Sequence, residues 1–198
     1  LDSITQKRKG EFSKLIADSY FKKNQFKTSL SFYKIFKKHA KSDRESNYQV
    51  AFCYYKTNDL RKAVELFASV AYKEDSLAQL CYYHMADSYL KLEEKDYARN
   101  AFQKASKLSF DDEIKRNSLF NYAKLAYELS YNPYDEAINS FQEFINLYPD
   151  TEDAKEAYEF LLKVYLTTKN YDDALKSMEK IKNKDPRMQK AYQSIVYN

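Results

Sequence analysis

The sequence has very few of the residues that tight turns require. It holds one Gly and three Pro among 198 residues, far below the ordinary usage of roughly seven and five per cent. Hairpin-rich β folds need Gly and Asn-Gly turns, so this scarcity argues against them and favours helices joined by short polar turns. With a single Gly, a glycine-rich phosphate-binding loop is also excluded.

Histidine and cysteine are nearly as scarce, with two of each. His39 lies in a lysine-rich segment with no Cys or second His beside it, so metal ligation is not expected. Cys53 and Cys81 are too few for a disulfide scaffold, and we interpret them as buried free thiols. No spacing gives either thiol an activating partner. The sequence therefore predicts no enzyme activity, no cofactor and no metal.

Long apolar runs are missing as well. No stretch approaches the roughly 18 residues that span a bilayer, so no membrane span is expected. No signal peptide is visible. Because the chain opens at Leu1 and stops inside an apparent helix, we expect it to be a piece of a longer protein.

Charge is unevenly spread along the chain. Residues 1–43 hold eleven Lys/Arg against four Asp/Glu, a local balance of +7, whereas the whole chain carries +4. A basic end attracts acidic partners, phosphate backbones or membrane surfaces. The simpler interpretation is a solvated lysine-rich helix face. Acidic clusters at 111–113, 152–153 and 172–173 open predicted helices, where negative charge suits the helix dipole.

Aromatic residues recur at a fixed register. A small residue is followed four positions later by a large apolar one in five places, with successive spacings of 34, 35, 39 and 37. The pairs are Ser29 and Tyr33, Ala63 and Phe67, Ala98 and Phe102, Ala137 and Phe141, and Ala174 and Met178. A Tyr stands nine residues before most of the small positions. A period of this length indicates a solenoid of helix pairs.

The segment 51–63, with a small residue, Tyr54, a polar turn, Leu60 and then Ala63, resembles the tetratricopeptide repeat (TPR) pattern. Segments 134–137 and 170–174 carry another feature of this pattern, a Tyr followed by two acidic residues and Ala. The resemblance covers about residues 10–198. It implies an all-α fold: a right-handed superhelix of five helix pairs plus a final helix, with the first (A) helix of each pair lining the concave surface. The chain departs from the pattern at the turn position that is usually Gly. Asn24, Asn58, Glu93, Asn132 and Lys169 stand there.

The predicted array is a single domain over residues 1–198. Its units span about 10–43, 44–76, 79–112, 114–153 and 155–188, followed by a final helix over 189–198. The expected A helices cover 11–23, 44–57, 77–92, 114–129 and 154–168. The expected second (B) helices cover 26–40, 60–73, 95–108, 134–147 and 171–183.

The A-helix positions expected to face the concave side form the candidate binding groove. They are Lys14, Asp18, Tyr48, Gln49, Phe52, Tyr55, Tyr83, His84, Asp87, Asn121, Lys124, Tyr127, Glu159 and Lys163, with Phe21, Lys22, Lys56, Lys91, Phe120, Glu128 and Phe160 beside them. Many of these aromatics could equally be core between repeats. Some TPR modules clamp a peptide carboxylate, but Asp18, Gln49 and Leu80 stand where that clamp has Asn, Asn and Lys.

A non-catalytic scaffold that binds a protein or peptide partner in this groove is the function that these features favour. The alternative is a domain that senses a peptide or glycan ligand, although the lack of Trp weakens a sugar platform. Nucleic-acid binding by the basic first unit is not expected, and the oligomeric state stays open. The "YPDT" run at 148–151 resembles repeats of bacterial cell-envelope proteins, which implies a periplasmic or outer-membrane-associated parent. A cytoplasmic location stays open.

Overall fold

The computed structural model describes residues 3–130, 134–179, 189, 190, 192, 193 and 196. Within these residues the chain forms ten helices and no strand, which confirms the all-α architecture of helix pairs. The helices are α1 Ser3–Lys22, α2 Phe26–His39, α3 Arg44–Lys56, α4 Leu60–Val70, α5 Ser76–Lys91, α6 Lys95–Lys107, α7 Asp112–Leu129, α8 Asp135–Leu147, α9 Glu152–Thr167 and α10 Tyr171–Glu179.

The chain divides into two compact units, residues 1–114 and residues 115–198. The first unit holds α1 to α6, and the second holds most of α7 with α8 to α10. The continuous array over 1–198 stays a prediction. The turn at 131–133, the end of the last expected B helix at 180–183 and most of the expected final helix lie outside the described residues.

Small residues let the paired helices of the first unit approach closely. Ala17 and Ser29 are fully buried where α1 crosses α2, and the Ser29 hydroxyl donates a 2.8 Å hydrogen bond to the Ala17 carbonyl. Ala51 and Ala63 are also fully buried, and they let α3 and α4 approach closely. Phe67 then fills the space beside them with no exposed surface. Burying such a ring contributes roughly 2–3 kcal/mol.

The second unit repeats this packing. Ala123, Ala126 and Ala137 have no exposed surface, and Phe141 and Phe144 fill the core beside them. On the neighbouring pair, Leu161 and Tyr165 of α9 are also almost fully buried. The register of small and large residues therefore gives the same local core in both units.

The A helices α1, α3, α5 and α9 end in a recurring left-handed turn. Asn24, Asn58, Glu93 and Lys169 have φ between 56° and 64°. In each case the next residue's N–H donates to the carbonyl five residues back, a 2.9 Å hydrogen bond onto the Tyr of the repeat register. This is a Schellman cap, which usually places Gly at the left-handed position. Asn tolerates that conformation well, but Glu and Lys are strained there.

Replacing Glu93 with Gly is expected to stabilise the protein by about 0.5–1 kcal/mol, because Gly removes the left-handed strain but adds freedom to the unfolded chain. Urea unfolding of the variant measures the gain. The matched change Asn58→Gly should produce a smaller gain, since Asn already tolerates the turn. Equal gains at both sites, or a loss at Glu93, would contradict this explanation.

Two helix boundaries differ from the sequence prediction by three residues or more. The first A helix was expected to begin at residue 11, but α1 begins at Ser3. No helix breaker other than Gly10 precedes residue 11, and Gly10 is buried against α2, where an added Cβ would lie 2.9 Å from the Ala40 Cβ. The helix expected to reach residue 73 ends at Val70, whose carbonyl accepts a 2.7 Å hydrogen bond from Arg44 Nε.

Candidate functional site

All fourteen predicted groove residues lie on the A helices α1, α3, α5, α7 and α9. Lys163 is exposed, and the other thirteen are partly exposed. None is fully buried, so each presents some surface to solvent. The two units hold separate subsets of these residues.

The first unit gathers five of them into one surface. We name Tyr48, Phe52 and Tyr55 of α3, together with Tyr83 and His84 of α5, the aromatic face. The imidazole of His84 lies at its centre. Its centroid is 5.1 Å from that of Phe52, 5.4 Å from Tyr55, 5.7 Å from Tyr83 and 6.3 Å from Tyr48.

Three further rings pack against the aromatic face. The buried ring of Phe67, which was expected in the core, stacks on His84 with centroids 5.6 Å apart. Phe21, which was expected beside the groove, and Phe26, which was not, each lie 5.6 Å from Phe52. Phe26 was missed because it opens a B helix, and its contact with α3 depends on how neighbouring pairs stack. Sequence spacing within one pair does not carry that information.

Charged groups border the aromatic face. The Tyr55 hydroxyl donates a 2.6 Å hydrogen bond to Asp87 Oδ2. Lys91 Nζ lies 2.6 Å from the same carboxylate and 4.2 Å from the Tyr55 ring centroid. Lys56 Nζ lies 5.3 Å from the Phe52 ring. The face is therefore an apolar surface with two ammonium groups and one carboxylate at its edge.

His84 is held neutral by its surroundings. Burial among the rings lowers its pKa to about 4, and the ammonium groups of Lys56 and Lys91 act in the same direction. The carboxylate of Asp87 opposes this shift. At neutral pH the imidazole therefore acts as another flat ring of the face, with nitrogen atoms for hydrogen bonding.

Three predicted groove residues of the first unit already have internal partners. Lys14 Nζ pairs with Asp43 at 2.7 Å. Asp18 Oδ1 and Gln49 Oε1 both lie within hydrogen-bond distance of the Tyr33 hydroxyl, at 2.5 Å and 2.8 Å. A phenol has one proton to donate, and its oxygen can accept from the Gln49 amide when that amide is turned over. These polar groups connect α1, α2 and α3 and lie outside the aromatic face as defined.

The second unit brings its own predicted residues together. Tyr127 lies edge-on to Phe160 with centroids 5.2 Å apart, and Phe160 stacks on the buried Phe141 at 5.1 Å. Lys124 Nζ pairs with Glu156 at 2.9 Å, and Lys163 Nζ lies 5.1 Å from the Phe160 ring. Among the remaining predicted residues, Asn121 donates from its amide to the Asn117 carbonyl at 2.8 Å. Glu159 lies on α9 and is partly exposed.

Two polar residues that the sequence did not single out organise the loops of the first unit. Gln79 is fully buried, and its amide bonds to the backbone of residues 105–111. Arg44 donates to the Val70 carbonyl and pairs with Asp75, the N-cap residue of α5. Both lie seven residues before a small A-helix residue, Ala51 or Ala86. This shared position in the repeat could have identified both residues from the sequence.

The described residues contain no cluster of three or more His, Cys, Asp or Glu side chains able to hold a metal ion. Both cysteines are buried free thiols, as expected. Burial raises the pKa of Cys53 to about 11 and that of Cys81 to about 12. Thiols with such pKa values are protonated at neutral pH and are poor nucleophiles.

Both thiols are therefore expected to react with a disulfide reagent at pH 8 at least about 100-fold more slowly in the folded protein than in urea. The release of thionitrobenzoate measures the rate, and the unfolded protein should yield both thiols. Cys53→Ala and Cys81→Ala variants assign any rapid phase. A thiol that reacts in the folded state as fast as in urea would contradict the burial of that cysteine.

In the part of the chain that the structure describes, no helix combines the length and the apolarity needed to cross a bilayer.

Two segments of the chain match known protein families. Residues 117–151 match the tetratricopeptide repeat family, and residues 22–105 match the family described as anaphase-promoting complex, cyclosome, subunit 3. No curated protein matches the chain.

Solved structures of TPR proteins share the fold at low identity. YrrB, described as a TPR protein with an unusual peptide-binding site, is 18% identical, with a TM-score of 0.63 over 93% of this chain and 89% of its own. A crystal structure of MamA is also 18% identical, with a TM-score of 0.64 over 96% of this chain and 94% of its own. The likeness at this identity shows the fold. The chain is therefore similar in fold to tetratricopeptide repeat proteins, and it matches that family over residues 117–151.

Proposed function

We propose that this protein is a non-catalytic scaffold that binds a peptide segment of a partner protein on the aromatic face. The observation that carries the proposal is the grouping of four partly exposed rings from two successive A helices around the imidazole of His84. Tyr and Phe offer large rigid contact area at low entropic cost, and the Tyr hydroxyls add polar tips. Such surfaces supply the anchor residues of peptide interfaces.

The edge of the face adds polar recognition. Lys91 and Asp87 are already paired with each other and with the Tyr55 hydroxyl, so their orientation is fixed before a partner arrives. Prearranged groups bind with a smaller entropic cost than free side chains. Lys56 is exposed above Phe52 and can meet a carboxylate or a backbone carbonyl of the peptide. The peptide-binding site described for YrrB is consistent with this class of function.

The Tyr→Ser changes at Tyr55 and Tyr83 test the proposal. Peptides are first selected from a random display library on the folded protein, and their affinities are then measured by calorimetry. We expect each variant to bind about tenfold more weakly or worse, as for anchor residues of interfaces. Tyr48 is unsuitable because its ring lies 5.7 Å from the ring of buried Phe67, so its removal would also disturb the core.

Tyr97 provides the matched control, since it is 60% exposed and lies on the B helix α6 outside the aromatic face. Tyr97→Ser should leave the affinity within about twofold. Urea unfolding of each variant separates lost binding from lost fold. Unchanged peptide affinity in the folded Tyr55 and Tyr83 variants would overturn the proposed site.

A ligand-sensing role is the second candidate, because aromatic rings also stack on sugars. Calorimetry of the same protein against a panel of oligosaccharides distinguishes the two. Saturable sugar binding that is lost in the Tyr83→Ser variant, with no peptide selected from the library, would replace the scaffold by a glycan sensor.

The periplasmic or outer-membrane association of the parent protein also stays a proposal, supported by the resemblance of residues 148–151 to cell-envelope repeats. Thiol titration is a poor test of it, because both cysteines are buried and would stay free in an oxidising compartment. Immunodetection after cell fractionation tests it directly, and recovery only in the cytoplasmic fraction would contradict it.

A further inference from the structure

The first unit also carries a cleft, formed by the B helices α2 and α4 over the A helix α3. This cleft has a volume of about 310 Å³. Its floor is apolar and is formed by Val50, Tyr54 and Leu66. Its edges carry Lys34 and Lys37 from α2 and Lys62 from α4. We name it the lysine cleft.

The lysine cleft and the aromatic face use opposite sides of α3. Residues along a helix advance by about 100° each, so Val50 lies roughly 160° and Tyr54 roughly 120° around the helix from Tyr48. Phe52 and Tyr55 fall within about 40° of Tyr48 on the same scale. The cleft is therefore a separate surface, and the proposed peptide site does not account for it.

The cleft carries more positive than negative charge. Lys34 Nζ lies 5.9 Å and Lys62 Nζ 5.5 Å from the centroid of the Tyr54 ring, so two ammonium groups approach one aromatic side chain. Lys62 also pairs with Asp59 at 2.5 Å. Within the described part of the chain, Lys34 and Lys37 have no carboxylate at ion-pair distance, and Glu65 supplies the one acidic side chain of the lining.

The charged form of Lys37 is partly desolvated in the free protein. Partial burial lowers the pKa of its ammonium group below the usual value. An anion placed in the cleft would compensate that desolvation, because opposite charges nearby favour the charged form. Lysines beside aromatic rings also keep their apolar stems packed while the ammonium groups remain available.

We infer that the lysine cleft binds an acidic, partly apolar segment of a partner protein, with a carboxylate between Lys34 and Lys37 and an apolar side chain over Val50 and Leu66. The volume suits one or two side chains, and the floor is apolar. A nucleic-acid backbone would need a row of cations, and Glu65 interrupts the charge here. A membrane surface would need a flat or protruding basic surface, and the cleft is concave.

Fluorescence anisotropy with a labelled peptide that alternates glutamate and leucine tests the inference. The Lys34→Gln, Lys37→Gln double variant is expected to bind this peptide about tenfold more weakly at low salt, the loss of two partly exposed charge pairs. The double variant Lys27→Gln, Lys38→Gln is the matched control. It removes the same charge from exposed positions of α2 outside the cleft, and its affinity should stay within about twofold.

Further probes separate the possible sources of binding. A glutamine–leucine peptide should not bind, and inorganic phosphate, single-stranded DNA and phosphatidylserine vesicles should compete only weakly. Equal loss in both double variants would overturn the cleft in favour of diffuse attraction to α2. Equal binding of the glutamine peptide would also overturn it, as would tighter binding of DNA or vesicles that depends on Lys34 and Lys37. Because Tyr55 and Tyr83 are unchanged, these outcomes are independent of the aromatic face.

Discussion

Replacing Gln79 with Leu is expected to lower the free energy of unfolding by about 3 kcal/mol. The Gln79 side chain is fully buried. Its Nε2 donates to the carbonyls of Leu108 at 2.7 Å and Asp111 at 3.1 Å. Its Oε1 accepts from the N–H groups of Asp111 at 2.8 Å and Phe110 at 3.2 Å.

Leucine has nearly the volume of glutamine but can form none of these bonds. The change would leave backbone donors and acceptors of residues 108–111 without partners in a buried place, and each such group costs about 1–3 kcal/mol. Part of this cost is relieved if the segment moves and admits water. The loss should therefore be large but smaller than the sum over all the bonds.

Urea unfolding followed by circular dichroism measures this effect. Gln25→Leu is the matched control, because Gln25 is exposed and its side chain makes no capping bond at the start of α2. We expect the control to change stability by less than about 0.5 kcal/mol. A loss below about 1 kcal/mol in the Gln79 variant would show that the side chain does not hold the segment between α6 and α7.

Stability is also expected to fall by about 2 kcal/mol between pH 7 and pH 4 because of His84. Its folded pKa of about 4 lies below the ordinary value of 6.5. Between these values the unfolded chain holds a proton that the folded chain does not. The stabilisation is therefore fully present above about pH 6.5 and is lost as the pH falls towards 4. The shift corresponds to about 3 kcal/mol, which partial exposure of the ring reduces.

Urea unfolding across this pH range, with His84→Phe as the variant, measures the contribution. Phe keeps a ring at the centre of the aromatic face but cannot be protonated, so the fall should shrink by about 2 kcal/mol. Burial raises the pKa of Asp43, but hydrogen bonds with Lys14 and Ser46 outweigh it and lower that pKa to about 2. Arg44 lowers the pKa of Asp75 to about 2, so both carboxylates act mainly below pH 4. His39→Gln is the matched control. A pH dependence that is the same in His84→Phe and in the unchanged protein would contradict the assignment.

The helix pairs could be predicted from sequence because their determinants are local. Small residues such as Ala51 and Ala63, each followed by large ones at helical spacing, set the crossing of α3 and α4. The positions of the turns could be predicted from the same repeat spacing, and Asn58 adopts the left-handed conformation expected there. Glu93 and Lys169 adopt it too, which shows that position in the repeat overrides residue preference.

The candidate sites were less accessible from sequence, because they depend on contacts between neighbouring pairs. Tyr48, Phe52 and His84 were expected on one surface, and the structure groups them. Whether Asp18 would face solvent or meet the hydroxyl of Tyr33 could not be read from spacing, since either orientation preserves the helix pattern. The lysine cleft could not be predicted from the sequence either. In the sequence its lysines have the pattern of an ordinary solvated helix face, and the cleft forms only where α2, α3 and α4 pack together.

Peptide binding on the aromatic face can be tested directly, because the two histidines lie in different places. His84 lies at the centre of that face, whereas His39 ends α2 outside it. The isotope-labelled protein is titrated with a selected peptide, and the imidazole signals are followed in NMR spectra. We expect a saturable shift of the His84 signals with those of His39 unchanged. Saturable binding of the peptide with no change at His84 would show that the peptide does not bind on the aromatic face.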